Sequence, residues 1–502
     1  MSQDISIEVV QAMNDMGPIF EFVVDRSDRE SVYRQIYERI RLAILSGSLA
    51  VGAKLPSSRA LAGQLNIARG TVDTAYRLLS GEGYVVCRGA GGTIVSPLAT
   101  VANASSNRAD AGKTEWTDAF DGAASSPLPF QMGLPAVDVF PRALWSRLCA
   151  RRARRIHAAS MVYPDIAGLP ALRYAISAYL GISRGIACSP GQVIITGGYQ
   201  AALHLIAEMM MRPGDKIWFE DPGYHKARQL LEGMGASIVP VPVDNDGMRV
   251  EDAIKIAPNA RFALVTPAHQ SPLSVSLSFA RRGALLAWAA RQRAWIIEDD
   301  YDSEFRYVGQ PLPALKSADR EDRVIYTGTF SKVLFPSLRL GYLVAPDELV
   351  GPFLRSISLN DAGRSPLEQA VVADFLTEGH FARHLHRMRS LYASRRAALA
   401  RALEIVFEDR ISVDLQMGGL HIIIRFGPSF DDVAAAEACA HKGLSVVALS
   451  SLSLTRASDR GLLIAFANVP ETSALSASRR LENALSDLPP IGIERAAPQE
   501  AN

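Results

Sequence analysis

From Phe130 onward, short apolar runs alternate with stretches of helical spacing: Val193-Ile194-Ile195, Ile217-Trp218-Phe219, Phe262-Ala263-Leu264-Val265, Trp295-Ile296-Ile297 and Val324-Ile325-Tyr326. Runs this short and this uniformly apolar are strands buried on both faces, and the intervening helices supply the cover, so the pattern requires a largely parallel α/β sheet. Beyond about Gly351, two long helical patterns precede strand-like runs at 421–424 and 462–466, which predict a smaller α/β subdomain. The expected unit covers 130–490, with a large part over about 160–350 and a small part over about 351–490.

The 502 residues leave room for a second domain, and the charge pattern locates it. Lys+Arg 53 against Asp+Glu 52 is balanced overall, yet residues 31–96 carry eight basic side chains against three acidic ones. Val32, Ile36, Ile40 and Ala43 make one helical stripe that Gly47 can close. Ser57 and Ser58 offer caps for a short second helix, and Asn66-Ile67 makes a turn into a third that begins near Arg69. In that third helix Val72, Ala75, Tyr76 and Leu79 face inward while Arg69 and Thr71 stay outside. Two short alternating runs around Gly89-Ala90-Gly91-Gly92 add a β-wing. A three-helix unit with a wing is expected over 27–96, followed by a flexible connector at 97–129 rich in Ala, Ser, Asn and Asp.

Composition excludes several classes. Hydrophobic residues at 48% and charged residues at 21% are those of a globular chain. Cys87, Cys149, Cys188 and Cys439 are too far apart for metal-ligand or CxxC spacing, so reduced thiols, no metal and a cytoplasmic setting are expected. No apolar run approaches the roughly 20 residues that span a bilayer, and Asp4 and Glu8 occupy the start where an export signal would be basic.

Chemistry-bearing residues recur at the ends of the expected strands, the edge where open α/β sheets bind ligands. Lys332, in Gly328-Thr329-Phe330-Ser331-Lys332, sits where an ammonium is costly unless paired, deprotonated or used covalently, and a Schiff-base lysine meets that need. An acid of Glu298-Asp299-Asp300-Tyr301 could pair with a pyridinium nitrogen, and the nearby phenol could bond a ring oxygen. Thr196-Gly197-Gly198-Tyr199 opens a helix whose amides suit a phosphate, Arg339 could clamp the same group, and Tyr224 could stack on a planar ring. Singly these signals have ordinary readings as loop ends, caps, tight turns, surface ion pairs or core aromatics. Together they describe a site for an aromatic aldehyde phosphate.

The ordered motifs Glu220-Asp221-Pro222-Gly223-Tyr224, Thr266-Pro267-Ala268-His269-Gln270, Glu298 through Phe305 and Gly328 through Lys332 resemble the MocR subfamily of GntR-type regulators. Pro56-Ser57-Ser58-Arg59 and Ala68-Arg69-Gly70-Thr71-Val72 resemble its winged helix-turn-helix, so the likeness spans nearly the whole chain. The resemblance implies a fold-type I aminotransferase-like domain, normally dimeric, fused to a DNA-binding domain. It further implies pyridoxal 5'-phosphate (PLP) bound through Lys332, with Asp299 at the pyridine nitrogen, Tyr301 at the phenolic oxygen and Tyr224 on the ring. Gly198, Tyr199, Thr329 and Arg339 would hold the phosphate, with His269 and Gln270 facing the oxygen side. On double-stranded DNA, Arg59, Arg69, Thr71 and, in the wing, Arg88 would touch bases or backbone.

In aminotransferases an arginine near the C-terminal strand binds the substrate carboxylate, and here that place falls on Leu463, with Lys226 or Arg460 as possible substitutes. Weak or no transamination is therefore expected. The resulting expectation is a PLP-dependent transcriptional regulator in a homodimer, with PLP itself or an amine forming an external aldimine as effector; the alternative is a working aminotransferase with an accessory DNA-binding head. The sequence identifies neither the effector nor the operator.

Overall fold

The computed structural model describes residues 24–97 and 126–488, apart from 29, 159–160, 308, 310–311, 361–362, 428, 456–459 and 487. The chain divides into two compact units between Ser125 and Ser126.

In the first unit the expected stripes become helices α1 (Val32–Leu45), α2 (Ser58–Gln64) and α3 (Arg69–Gly81). Ser57 caps α2 by accepting the Ala60 amide at 3.2 Å, and Asn66 takes φ 51° in the turn before α3. Ile36, Ile40, Leu61, Val72, Ala75 and Leu79 close a common core. Strands β1 (Val85–Cys87) and β2 (Thr93–Val95) pair antiparallel around a tight turn at Gly89–Gly91.

The second unit opens with α4 (Arg142–Ala153) and α5 (Pro170–Arg184). Then come β3 (Val193–Thr196), α6 (Tyr199–Met210), β4 (Lys216–Asp221), α7 (His225–Gly233), β5 (Ser237–Asp244), β6 (Gly247–Met248) and α8 (Val250–Ile256). Next are β7 (Phe262–Val265), α9 (Phe279–Gln292), β8 (Trp295–Asp300), β9 (Val324–Thr329) and β10 (Gly341–Val344). The sheet order is β3-β10-β9-β8-β7-β4-β5-β6. Strands β9, β8, β7, β4 and β5 run parallel, as the apolar runs require. Two departures appear: β10 lies antiparallel between β3 and β9, and β6 folds back on β5 as a hairpin. Neither β5, β6 nor β10 is among the expected strands, because their apolar runs are short or interrupted by Pro240 and Pro242.

Both sheet faces are covered. Leu203, Ile206, Leu231 and Phe353 pack on one, and on the other Trp218 stacks on Trp288 at 3.8 Å between centroids.

The C-terminal part opens with α10 (Asp347–Asn360), α11 (Pro366–Thr377) and α12 (His380–Phe407) in place of the two long patterns expected. Gly379, at φ 73°, breaks the second pattern just before α12. Strand β11 (Ser412–Asp414), β12 (His421–Arg425), α13 (Asp432–His441), β13 (Val447–Ala448), β14 (Gly461–Ala465) and α14 (Ala474–Leu485) complete it. Its sheet, β11-β12-β14-β13, is antiparallel throughout. Most of the expected connector, 98–125, lies outside the described residues. Its last part packs on the second unit, because the Leu128 carbonyl accepts Asn468 Nδ2 at 2.7 Å and the Pro129 carbonyl accepts the Ser445 amide at 3.0 Å.

Gly328 lies in β9 where a Cβ would collide with the ring of Tyr342, itself buried. Gly328→Ala should lower the denaturation midpoint, with a stability loss of about 1–3 kcal/mol typical of overpacking, while a parent-like midpoint would show that Tyr342 can move aside.

Candidate functional site

Strand alternation organises the acids of β8. Glu298 and Asp300 point to one side, where Glu298 accepts the Leu315 and Lys316 amides at 2.7 and 2.8 Å. Asp300 accepts the Tyr326 hydroxyl at 2.6 Å and pairs with Arg184 at 2.7 Å. Asp299 points to the other side. Its carboxyl is buried and has no ion-pair partner among the described residues. Burial pushes its pKa well above the usual carboxylate range; the nearby Tyr199 opposes the shift, and Asp300, Glu220 and Asp302 add to it.

Lys332 follows β9, next to β8 in the sheet. Its Nζ donates to the Gly133 carbonyl at 2.9 Å, and a side chain at Gly133 would collide with that nitrogen. Burial lowers the lysine pKa against the opposing pull of Asp302 and Asp299, and the charge of Lys226 lowers it further. The larger unit therefore holds an amine biased toward its neutral, nucleophilic form near an acid biased toward keeping a proton.

The turn before α6 leaves room beside these groups. Gly198 caps the helix at φ 94°, and a Cβ there would meet nothing within 4 Å. Gly197 lies against the Arg364 guanidinium, whose carbon is 3.0 Å from a hypothetical Cβ. The Tyr199 ring stands 6.2 Å from that of Tyr224, and its hydroxyl lies beside Asp299 without the geometry of a full hydrogen bond. The Tyr199 hydroxyl is thus at Asp299, while its backbone amide is at the helix start. Thr329 ends β9 and accepts the Ser331 amide at 3.1 Å. Arg339 is exposed and in the left-handed region at φ 48°; with Asp299, it influences the Tyr224 hydroxyl.

His269 Nδ1 lies 3.1 Å from the Tyr301 hydroxyl and 3.0 Å from Asp302 Oδ1. Gln270 has its amide occupied: Nε2 donates to the Pro222 and Ser271 carbonyls, both at 2.8 Å, and Oε1 accepts the Leu273 amide at 2.8 Å. It braces its loop. Glu220, buried beneath, accepts the Thr266 hydroxyl at 2.5 Å, and burial raises its pKa to about 7. Asp302, Glu220, Arg364 and Gly133 do not stand out in the sequence as site residues. The first two lie inside quoted motifs, whereas Gly133 is 199 positions from the lysine that it touches.

Leu463 is wholly buried against Ile423 and Leu449, and Arg460 donates to the Phe430 carbonyl at 2.9 Å. Lys226 is exposed at the start of α7. In the first unit Arg59, Arg69 and Arg88 are exposed and Thr71 is half-buried. Arg69 reaches Ser58 at 3.3 Å and Asp73 at 3.5 Å, linking α2 to the start of α3.

Glu220 fixes a pH dependence. Its folded-state pKa, about 7, exceeds the ordinary 4.5, so its contribution is fully present below pH 4.5 and is lost as pH rises through 7. Stability of the parent should therefore fall across that window relative to Glu220→Gln, as read from denaturant midpoints; parallel pH profiles would contradict the assignment.

Residues 32–95 match the family "Bacterial regulatory proteins, gntR family" and residues 148–480 match "Aminotransferase class I and II". Over 460 residues the chain is 38% identical to the probable rhizopine catabolism regulatory protein MocR of Rhizobium meliloti, covering 90% of this chain and 93% of that protein. It is 34% identical over 468 residues to the pyridoxine biosynthesis transcriptional regulator PdxR of Corynebacterium glutamicum, covering 91% and 96%. The second unit is similar to an archaeal alanine:glyoxylate aminotransferase, with a TM-score of 0.68 and 26% identity over 74% of this chain and 94% of that one. A kynurenine aminotransferase of Pyrococcus horikoshii gives 0.67 and 25% over 76% and 96%. The aminotransferase class implies PLP as coenzyme. The residues present fit it: a half-buried lysine amine whose proton affinity desolvation lowers, a buried acid with no ion-pair partner among the described residues, and a glycine turn with open space at a helix start. With a GntR-type head, an aminotransferase-like unit and likeness to MocR over most of its length, the chain belongs to the MocR subfamily of GntR-type transcriptional regulators.

Proposed function

We propose that the chain is a cytoplasmic, homodimeric regulator whose second unit reads PLP, or an amine that reacts with it, and whose first unit binds operator DNA. The observation that carries this reading is the pairing of Lys332 and Asp299 in one buried site, joined by sequence to a basic winged head. Bound PLP supplies an electron-withdrawing ring and a carbonyl carbon that condenses with amines. Lys332 is the attachment residue, and burial lowers the proton affinity of its amine. Asp299 holds a proton at the pyridine nitrogen, and Tyr199 flanks that acid. Tyr301 donates to the ring oxygen, with His269 behind it at 3.1 Å. Tyr224 covers the ring face. Gly198, the Tyr199 amide, Thr329 and Arg339 hold the phosphate, and Gln270 fixes the loop that carries His269.

Leu463 supports regulation over turnover, since a buried leucine offers a substrate carboxylate no charge-assisted hydrogen bond. At that position the chain then offers no charged group to orient an amino acid for repeated transamination. A sensor needs only to bind and to shift between two arrangements with different affinity for DNA.

On DNA, the start of α3 enters the major groove with Arg69 and Thr71, while Arg59 and the wing residue Arg88 touch the backbone. Two heads in a dimer read direct or inverted repeats. Gel shifts on the DNA upstream of the chain's own coding sequence should show specific binding altered by PLP. Arg69→Ala should weaken binding and, if Arg69 meets a phosphate, reduce the salt slope by about 0.9 for each phosphate left without its cation. Absence of specific binding with and without PLP would overturn the regulator reading, and rapid multiple turnover of an amino acid with a keto acid would favour the aminotransferase alternative.

A further inference from the structure

A second cavity, of about 420 Å³, lies between segments 274–279, 302–306 and 416–419. Its size falls within the roughly 300–1,000 Å³ of small-molecule sites. His269 and Asp302 are part of its wall, so it backs onto the site already described. The walls are held together by close backbone approach: a side chain at Gly418 would meet the Phe305 carbonyl, and one at Gly419 would collide with the His269 ring. These two glycines bring the strand-to-strand loop of the C-terminal part against the loop after β8.

Three arginines and two aspartates, Asp246 and Asp302, stand in its wall, and two of the arginines touch no carboxylate among the described residues. Arg184, Arg282 and Arg306 all line the cavity. Asp300 matches Arg184 at 2.7 Å. Arg282 is buried and donates to the carbonyls of Pro267, Leu277 and Pro313 at 2.8–2.9 Å, with no carboxylate in ion-pair range among the described residues. Arg306 is half-buried; its Nη2 reaches the Met417 sulfur at 3.1 Å, and its Nε is buried without a partner. The Ser303 hydroxyl is likewise buried and unpartnered. Among the acids nearby, Asp302 is bonded to His269 through Oδ1 while its Oδ2 is buried without a partner, Asp246 is exposed, and Glu298 is capped by two backbone amides. Carbonyl oxygens and a thioether solvate a guanidinium, but they do not neutralise it.

We propose that this cavity is a second ligand site, for a small carboxylate-bearing molecule held by the guanidinium of Arg306 in the field of Arg282. The planar fork of an arginine fits a carboxylate with two parallel hydrogen bonds, and the unpartnered Ser303 hydroxyl supplies a further donor. A molecule bound there touches the wall that contains His269, whose Nδ1 meets Tyr301. Any effect on the coenzyme travels through that pair, and this part alone rests on Tyr301 being a coenzyme ligand.

Isothermal titration of the full chain with succinate, with and without saturating PLP, tests the proposal. Succinate should bind once per chain whether or not PLP is bound. Arg306→Gln should weaken it by about tenfold or more, and Arg306→Lys, which keeps the charge but loses the fork, should fall between. No succinate binding, parent-like binding by Arg306→Gln, or displacement of succinate by PLP would each overturn it, the last by placing the anion where the coenzyme phosphate belongs. Because the succinate titration reads out without PLP, failure of the coenzyme reading and failure of this cavity are separate results.

Discussion

Burial of two ionisable groups against one sheet edge is the constraint on which the rest of the larger unit depends. Desolvation acts on them in opposite senses: it favours the neutral amine of Lys332 and the protonated carboxyl of Asp299. Neither has an ion-pair partner of its own among the described residues, so each retains an interaction that an incoming aromatic aldehyde phosphate can satisfy, the amine through its lone pair and the acid through a ring nitrogen. The glycines around them keep the space clear. Gly133 yields to the lysine nitrogen, and Gly198 leaves an open approach to the first amides of α6.

Topology produces this from simple periodicities. In β8 the two-residue repeat sends Glu298 and Asp300 to one side, where amides, a phenol and Arg184 consume them, and leaves Asp299 alone on the other. Parallel pairing of β7, β8 and β9 brings the loop of His269, the acid of β8 and the lysine after β9 to the same edge. The antiparallel insertion of β10 next to β3 sets Gly341 against Gly198. An edge built in this way positions chemistry through backbone register, with side-chain flexibility contributing little.

Much of this is legible in the sequence where the signal is local. The stripe Val72, Ala75, Tyr76 and Leu79 marks the inward face of α3, and the apolar runs mark the parallel strands. Asp299, Tyr301 and Lys332 stand at strand ends that periodicity alone can locate. What escapes is non-local or broken in pattern. Strand β5 carries Pro240 and Pro242 at half-exposed and exposed positions, which reads as a loop until its parallel partner β4 is known. Gly133 touches Lys332 only because the chain folds back over 199 positions. The resemblance places Tyr199 at the phosphate, where its backbone amide can serve, while its hydroxyl lies beside Asp299, a direction that sequence spacing does not encode. The resemblance puts Gln270 in the loop on the ring's oxygen side, and its backbone partners, which spacing does not reveal, brace that loop.

On the proposed reading this edge serves recognition, and the buried Leu463 offers a substrate carboxylate no charge-assisted contact. Attachment of PLP to Lys332 is the claim that the sensing account cannot do without. Borohydride reduction of the PLP-loaded protein, followed by peptide mass mapping, measures it directly. The account predicts one phosphopyridoxyl group per chain, on the peptide containing Lys332. Modification confined to other lysines, or no stable incorporation, would contradict it.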